Sequence, residues 1–377
     1  MIGFGIVIPI LPFISPRLGA SNFDIAMIIA SYALCASLAG PLWGRLSDRI
    51  GRKPVLMLCT GGAAIGYLLL AYASDLWMIY AARAFAGLMA GNFGVASAMM
   101  ADVTTPAQRA RGMGIVGASF GLGLVLGPVM GGLLSGPEGS FTLPCLVAGV
   151  MSALAVISAW RFLPESYPAS ERQAHGLVRA ERKQSLWAML RETRSRLLLV
   201  QYALHTASFT CATYLFPLWA AARLGWTARE VGIVFGVQGA IMAASQGLLI
   251  GPLVRSMGEL PLLRLCVSLF FVGLLVAVFA DGAPAMVGAL LVALSGATLC
   301  MPVLNSLTSQ RTPQEQRGRM MGAASAAASW GRVLGPLLAG LALTFGGFRL
   351  AWSMPLLLVA FYSVWAWRVQ PLEDDLS

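Results

Sequence analysis

The sequence predicts an all-α membrane protein with twelve transmembrane helices, arranged as two pseudo-symmetric six-helix bundles. The first observation is composition: 58% of residues are hydrophobic, 11% are charged, and the mean hydropathy is +0.75. A water-soluble domain does not bury that much apolar surface, so the surrounding solvent must be lipid. The second observation is an internal repeat, and the third is the distribution of Lys and Arg between alternate loops.

The repeat relates residues 108–132 to residues 316–340, at an offset of 208 residues. Twelve of the 25 aligned positions are identical, including the Gly-Pro pairs at 127–128 and 335–336. Duplicated hydrophobic halves of this size are typical of secondary transporters. A second aligned pair, at an offset of 207 residues, is Gly44–Leu56 with Gly251–Leu263.

Twelve apolar stretches can be drawn along the chain, and most are long enough to cross a ~30 Å hydrocarbon layer as helices. Helices are predicted because, in lipid, a backbone must satisfy its own hydrogen bonds. The stretches are 1–15, 23–44, 54–73, 77–101, 112–135, 142–160, 197–220, 231–253, 262–280, 284–308, 320–345 and 350–367.

A polar segment, residues 163–196, separates the two sets of six stretches and predicts a linker. The predicted domains are therefore an N-terminal bundle (1–162) and a C-terminal bundle (197–377). The first stretch would span only about 22 Å as a helix, so we expect that part of the first helix lies upstream of Met1.

The net charge of +10 has a topological explanation. Assigning alternate loops to opposite sides places 20 of the 26 Lys and Arg residues on one face. The positive-inside rule makes that face cytoplasmic, together with both chain termini. We therefore expect a multi-pass protein of the bacterial inner membrane, and no nucleic-acid partner.

Polar residues between the second and third stretches, in the segment GRLSDRIGRK, resemble the signature loop of the major facilitator superfamily, G-x3-D-R-x-G-R-K. The glycines permit a tight turn and close backbone approach, and the Asp can pair with Arg or accept from a helix N-terminus. The alternative is a basic loop that only fixes topology, but that needs neither the glycines nor the Asp. The residues concerned are Gly44, Asp48, Arg49, Gly51, Arg52 and Lys53.

In that family the signature loop holds the cytoplasmic side closed through a charge network. The resemblance implies such a gate here, formed by Asp48, Arg52 and Asp102. In the second copy Arg255 and Glu259 stand at the positions of Asp48 and Arg52. We therefore expect any switch to depend on the first copy.

Two Arg residues, Arg83 and Arg332, fall within apolar stretches, where a charge costs several kcal/mol unless it faces a cavity or a partner. Arg83, in RAFAGLMAG, resembles the fourth-helix pattern of drug–proton antiporters, which implies a role in proton coupling; the alternative is snorkelling to the membrane surface. Arg332 is expected either to contact substrate or to stabilise helix carbonyls. Together they predict a positive cavity that favours anionic or zwitterionic substrates.

His205 is a group within the seventh stretch that can titrate near neutral pH. Two interpretations stay open: a proton carrier or substrate-binding donor, and a buried neutral side chain. Gln201, Gln238 and Gln246 are expected to add polar groups to the C-terminal side of the cavity.

A glycine-rich stretch, 114–132, resembles the fifth-helix motif of antiporters within the superfamily. Close helix packing explains the glycines equally well, and Gly-Pro allows a bend. The motif residues in the two copies are Gly123, Gly127, Pro128, Gly131, Gly335 and Pro336.

The opening segment GFGIVIPILP (Gly3–Pro12) resembles the first helix of tetracycline and multidrug exporters. These resemblances imply a monomeric transporter that exports small organic molecules in exchange for protons by alternating access. A proton-independent facilitator or exchanger of anionic or zwitterionic metabolites is the alternative, and a receptor without transport is another. We expect no enzyme activity, no cofactor and no metal, because no phosphate-binding Lys loop, nucleophile–base pairing or paired Cys spacing is present.

Overall fold

The secondary structure of the described residues consists of helices joined by short connections, with no strand, as predicted. The structure is a computed structural model, and it describes residues 2–7, 10–14, 18–105, 108–136, 140–167, 193–313 and 316–368. Most of the predicted linker, residues 168–192, lies outside these ranges.

The helices are named in chain order. They are α1 Ile2–Val7, α2 Leu11–Ile14, α3 Asn22–Ile50, α4 Arg52–Ala71, α5 Leu76–Leu88, α6 Asn92–Val103, α7 Arg109–Leu134, α8 Thr142–Phe162, α9 Thr193–Leu224, α10 Ala228–Ala244, α11 Ile250–Met257, α12 Glu259–Phe279, α13 Ala283–Gln310 and α14 Arg317–Arg368, with a π-helix, Ser245–Leu249, between α10 and α11.

Within the described ranges, nine helical segments are long and apolar enough to cross a membrane. One of them, α14, contains a kink at Gly347 (φ 66°, ψ −166°) and therefore comprises two helical arms. When the two arms are counted separately, and α9 and the pair α1 and α2 are added, the described helices are consistent with the twelve predicted spans.

The connection between α3 and α4 differs from the predicted loop. Helix α3 continues to Ile50 and α4 begins at Arg52, so Gly51 alone separates them, with φ 111° and ψ 159°. Residues 44–50 are therefore the last turns of a helix. The polar composition of these residues suggested a loop. A transmembrane helix can, however, continue beyond the hydrocarbon layer, where its polar side chains are in contact with water.

The predicted fourth stretch is interrupted. Its two helices, α5 and α6, are separated by Met89–Gly91, and the Trp43 indole Nε1 donates to the carbonyl oxygen of Leu88 at 2.5 Å. This hydrogen bond satisfies a carbonyl at the end of α5. A Cβ at Gly91 would collide with the Trp43 ring, so glycine permits this close packing.

The chain forms two compact units. Unit 1 comprises Met1–Ser21, Ser31–Gln184 and Thr227–Gly236, and unit 2 comprises Asn22–Ala30, Ser185–Trp226 and Val237–Ser377. Two short segments thus depart from the predicted boundaries, because the start of α3 packs in unit 2 and the start of α10 packs in unit 1.

Specific contacts explain the two exchanged segments. In unit 2, the Tyr214 hydroxyl donates to the carbonyl oxygen of Asn22 at 2.6 Å. In unit 1, the backbone of Gly232 packs so closely on Pro128 of α7 that a side chain would not fit. The boundaries of the two functional bundles stay a prediction.

Candidate functional site

The polar end of α3 forms a charge cluster around Arg52. The Arg52 guanidinium Nη1 donates to Asp48 Oδ1 at 2.7 Å and to Ser47 Oγ at 2.6 Å. Its Nε donates to Asp102 Oδ2 at 3.0 Å, at the end of α6. The structure therefore brings Asp48, Arg52 and Asp102 together; their role as a gate stays a prediction.

Sequence reasoning missed Glu165, which follows α8. Its carboxylate accepts from the backbone N–H groups of Arg52 at 2.8 Å and Lys53 at 3.2 Å. These are unsatisfied donors at the N-terminus of α4, where a negative charge is also favoured by the helix dipole. In the sequence, Glu165 stands out as an acidic residue after a Pro near the end of an apolar stretch, but nothing there shows that it binds the start of α4.

Two neighbours of Glu165 join the same cluster. The Ser166 hydroxyl donates to Asp102 Oδ2 at 3.3 Å, and the Arg52 guanidinium lies over the Tyr167 ring at 5.2 Å from the ring centre. The Lys53 ammonium donates to the carbonyl oxygen of Trp160 at 2.9 Å. The first residues of the predicted linker are therefore bound to the α3–α4 connection.

The two signature glycines differ in their surroundings. Gly51 has a positive φ, and a Cβ there would collide with Glu165. Gly44 has no described heavy atom within 4 Å of its ideal Cβ position. The expected close backbone approach at Gly44 is therefore wrong for the described residues, because no element packs on that side of α3. Arg49 is exposed.

The second copy keeps the turn and changes its charges. Gly258, between α11 and α12, has φ 80° and ψ 165°, close to the conformation of Gly51. Glu259 replaces Arg52, and its Oε1 accepts from Ser306 Oγ at 2.5 Å and from Gln310 Nε2 at 3.0 Å. The first copy thus connects the start of α4 to the end of α6, and the second connects the start of α12 to the last turns of α13.

Arg83 lies in the interior of unit 1. Only 5% of its surface is exposed, and its guanidinium lies over the Tyr32 ring at 4.3 Å. Tyr67 and Cys145 are close enough to interact with it electrostatically. The snorkelling alternative is therefore wrong, since the side chain does not reach a surface. Its Nε has no hydrogen-bond partner among the described residues.

His205 lies in the interior of unit 2. Its ring packs edge-on against Phe270 and Tyr362, with ring centres 5.7 and 5.8 Å away. Its exposed fraction is 3%, and Nδ1 has no described partner. Beside it, the Tyr362 hydroxyl and Cys300 Sγ are 2.9 Å apart. These contacts favour the buried, neutral interpretation over that of a proton carrier.

Two of the three predicted glutamines are buried. Gln201 has no exposed surface and Gln238 has 6%, and neither side-chain amide has a described hydrogen-bond partner. The third, Gln246, lies in the π-helix and donates from Nε2 to the carbonyl oxygen of Thr298 at 3.0 Å. π-Helical turns often occur at functional sites. Among the described residues, no side-chain hydrogen bond joins the three glutamines.

Arg332 contrasts with Arg83, because its side chain is exposed. Its Nη2 donates to the hydroxyl of Ser329 at 2.7 Å. Of the two expected roles, contact with a substrate requires this accessibility, whereas stabilising helix carbonyls does not. The role itself stays a prediction.

The glycine motifs lie where helices approach each other. In unit 1, Gly127 packs on Gly5 of α1 and Gly131 on the backbone of Ile6. In unit 2, Gly335 of α14 packs on the backbone of Ala207 in α9. The carbonyl oxygen of Gly123 lies 2.7 Å from the position that a Cβ on Gly5 would take. Pro128 and Pro336 are buried.

The described residues contain no group of three or more His, Cys, Asp or Glu that could hold a metal ion. All six cysteines are free thiols.

Three comparisons bear on this arrangement. The sequence profile of the Major Facilitator Superfamily matches residues 1–313 and 198–376. The tetracycline resistance protein of class E from Escherichia coli is 32% identical over 360 residues, 93% of this chain and 86% of that protein.

Two solved structures are similar in fold. A bacterial homologue of the human lysosomal transporter Spinster, in an inward-facing and occupied conformation, has a TM-score of 0.80 and 15% identity, covering 98% of this chain and 94% of that one. The human organic anion transporter MFSD10 (TETRAN) has a TM-score of 0.72 and 22% identity, covering 97% and 95%.

Proposed function

The chain belongs to the Major Facilitator Superfamily, and on that premise we propose that it exports small organic molecules across the bacterial inner membrane in exchange for protons. The observation that carries the proposal is 32% identity with a tetracycline resistance protein over 93% of the chain. We further propose that it works as a monomer with both termini in the cytoplasm, and that it has no enzymatic activity.

Alternating access requires contacts that exist in one state and break in the other. The Arg52 cluster supports this role, because Asp48, Asp102 and Tyr167 come from three different segments and meet at one guanidinium. We propose that this cluster stabilises one of the two states and opens when the protein changes access. The cost of opening is modest, since ion pairs that solvent still reaches contribute about 0–1 kcal/mol each.

A second candidate is proton-independent exchange of anionic or zwitterionic metabolites. The fold similarity to an organic anion transporter and the exposed Arg332 favour it. Under this alternative, an imposed pH gradient leaves the transport rate unchanged, whereas a gradient of the counter-substrate accelerates it.

The test is uptake into proteoliposomes with an imposed pH gradient and tetracycline as the first probe, followed by cationic, neutral and anionic drugs. Proton antiport predicts accumulation that collapses when an ionophore removes the gradient. Protein-free liposomes provide the control for leakage. Accumulation that is insensitive to the pH gradient would reject proton coupling, and uptake of no probe would reject the exporter.

The proposed mechanism assigns no proton to His205. We expect His205→Asn to preserve the pH dependence of transport, because the ring is enclosed by Phe270 and Tyr362. The measurement is initial transport rate from pH 5.5 to 8.5. A loss of pH dependence in this variant, with normal protein yield, would return the proton-carrier role to His205.

A further inference from the structure

The first arm of α14 carries an exposed cation at mid-depth. Arg332 lies fifteen residues after Arg317 and fifteen before the Gly347 kink, which is about 22 Å of helix in each direction. An arginine side chain is too short to reach either end, and placing its charge in lipid costs several kcal/mol. The exposed side chain of Arg332 must therefore face water rather than hydrocarbon.

Two serines share this side of the arm. The Ser329 hydroxyl accepts from Arg332 Nη2 at 2.7 Å and donates to the carbonyl oxygen of Ser325 at 3.0 Å. Residues at 325, 329 and 332 are spaced by one and two helical turns, so they lie on one face. We call Ser325, Ser329 and Arg332 the polar face of α14.

The other sides of the arm have different environments. Gly331 and Gly335 pack against the backbone of α9, which fixes the buried side. Trp330 and Leu334 are 53% and 46% exposed and apolar, as a lipid-facing side requires. The polar face is thus a third side, distinct from both the helix-packing side and the lipid side.

The repeat indicates that this face is not needed for the fold. At the offset of 208 residues, the positions equivalent to Ser325, Ser329 and Arg332 are Gly117, Gly121 and Leu124 in α7. The first copy therefore forms its equivalent helix without any polar side chain on this face. A polar feature confined to one copy points to a ligand rather than to architecture.

We propose that the polar face of α14 binds a carboxylate or similar oxyanion carried by the transported solute. Arg332 supplies the charge and the planar set of donors that match a carboxylate, and Ser329 is a positioning residue that orients the guanidinium. The inference rests on the proposed transport function, whose substrate class it narrows. Arg83 is excluded from this role because it is buried among Tyr32, Tyr67 and Cys145.

The first experiment tests whether the face is wet. Gly322 is exposed, lies one turn before Ser325, and has open space at its Cβ position. We expect an anionic, membrane-impermeant methanethiosulfonate to label Gly322→Cys in native membrane vesicles, and to leave Leu334→Cys unlabelled. Peptide mass spectrometry separates these sites from the native cysteines. Equal labelling of both variants, or no labelling of Gly322→Cys, would overturn the assignment of the faces.

The second experiment tests the ligand class with a matched pair, salicylate and salicylamide. We expect salicylate to slow labelling of Gly322→Cys by about threefold or more, and salicylamide to have no such effect. Adding Arg332→Gln should abolish protection, whereas Arg332→Lys should retain part of it. Adding Ser329→Ala should shift the salicylate concentration for half-protection upward without removing protection at saturation.

The outcomes separate the two proposals. Protection by salicylamide equal to that by salicylate, or protection that survives Arg332→Gln, would overturn the oxyanion site. Protection that depends on Arg332, without proton-coupled uptake of any probe, would keep the site and reject the proton-antiport function. Labelling of Gly322→Cys that is slow without salicylate, speeds up when detergent removes the lipid and then shows no salicylate protection would identify a lipid phosphate as the occupant and would also overturn the proposal.

Discussion

At the scale of single residues, Arg52 shows how one side chain joins distant parts of the chain. Its guanidinium offers five donors in a plane, and it contacts Asp48 in α3, Asp102 at the end of α6 and Tyr167 after α8. The Arg52 side chain is 11% exposed and those of Asp48 and Asp102 are 25% and 23% exposed, so solvent still reaches the ion pairs and they add little stability. Their value is positional, because they define where three segments meet.

We therefore expect Asp102→Asn to reduce the initial rate of drug transport severalfold while leaving insertion and thermal stability near those of the wild type. The amide keeps the shape but loses the charge that holds Arg52. Everted vesicles loaded through a pH gradient provide the rate. Asp75→Asn is the matched control, since this exposed carboxylate accepts a hydrogen bond from Ser74 in a short connection and lies outside the Arg52 cluster. A wild-type rate in Asp102→Asn would reject the gate.

Substitutions at Gly51 and Gly44 form a second matched pair, which tests the free energy of unfolding. We expect Gly51→Ala to lower the free energy of unfolding by about 1 kcal/mol or more, because its φ of 111° is unfavourable for other residues and the added methyl meets Glu165. Gly44→Ala should be neutral or stabilising by up to about 1 kcal/mol, since it lies in a helix with open space. Thermal unfolding in detergent measures both. Equal effects would show that the turn at Gly51 is not restrictive.

At the scale of helices, the glycines of α7 and α14 set how closely pairs of helices approach. Gly335→Val should lower stability by about 1–3 kcal/mol and reduce the yield of monodisperse protein, because the side chain would press on the backbone of Ala207. Gly121→Val is the control, since nothing described lies within 4 Å of its Cβ position. Size-exclusion chromatography after extraction compares them. A normal profile for Gly335→Val would contradict tight packing here.

Hydropathy predicts helices well but not their interruptions. The apolar stretch 77–101 gives no sign that α5 ends at Leu88, because the break depends on an indole 45 residues earlier in the chain. Hydropathy also does not show which way a side chain points. Arg83 and Arg332 both lie within apolar stretches, yet Arg83 packs on Tyr32 and Arg332 is exposed. Composition indicates the depth of a residue in the membrane but not the direction of its side chain.

At the scale of the whole molecule, the repeat predicts packing in both halves. Gly127 and Gly335 are equivalent positions, and they pack respectively on the first helix of unit 1 and on α9 in unit 2. Sequence comparison revealed this because duplication preserves small residues where backbones meet. It did not reveal the exchange of Asn22–Ala30 and Thr227–Gly236 between units, which arises from contacts between residues distant in sequence.

The distribution of Lys and Arg makes a prediction for the whole molecule. A fluorescent-protein fusion at the C-terminus should be bright and an alkaline phosphatase fusion there inactive, if the positive face lies in the cytoplasm as we propose. A fusion after Gly225, between α9 and α10, should give the opposite pattern. Phosphatase activity at the C-terminus would reverse the assigned orientation.

The turns at Gly51 and Gly258 carry a consequence for biosynthesis. Helix α12 begins with its own acidic residue, Glu259, whereas α4 begins with Arg52 and Lys53 and takes its carboxylate from Glu165. The second turn thus has its acidic group as soon as Glu259 has been translated. The first turn acquires its acidic group only after the ribosome has added more than a hundred further residues. The hydrogen bonds from Arg52 and Lys53 to Glu165 therefore form late in the synthesis of the N-terminal half.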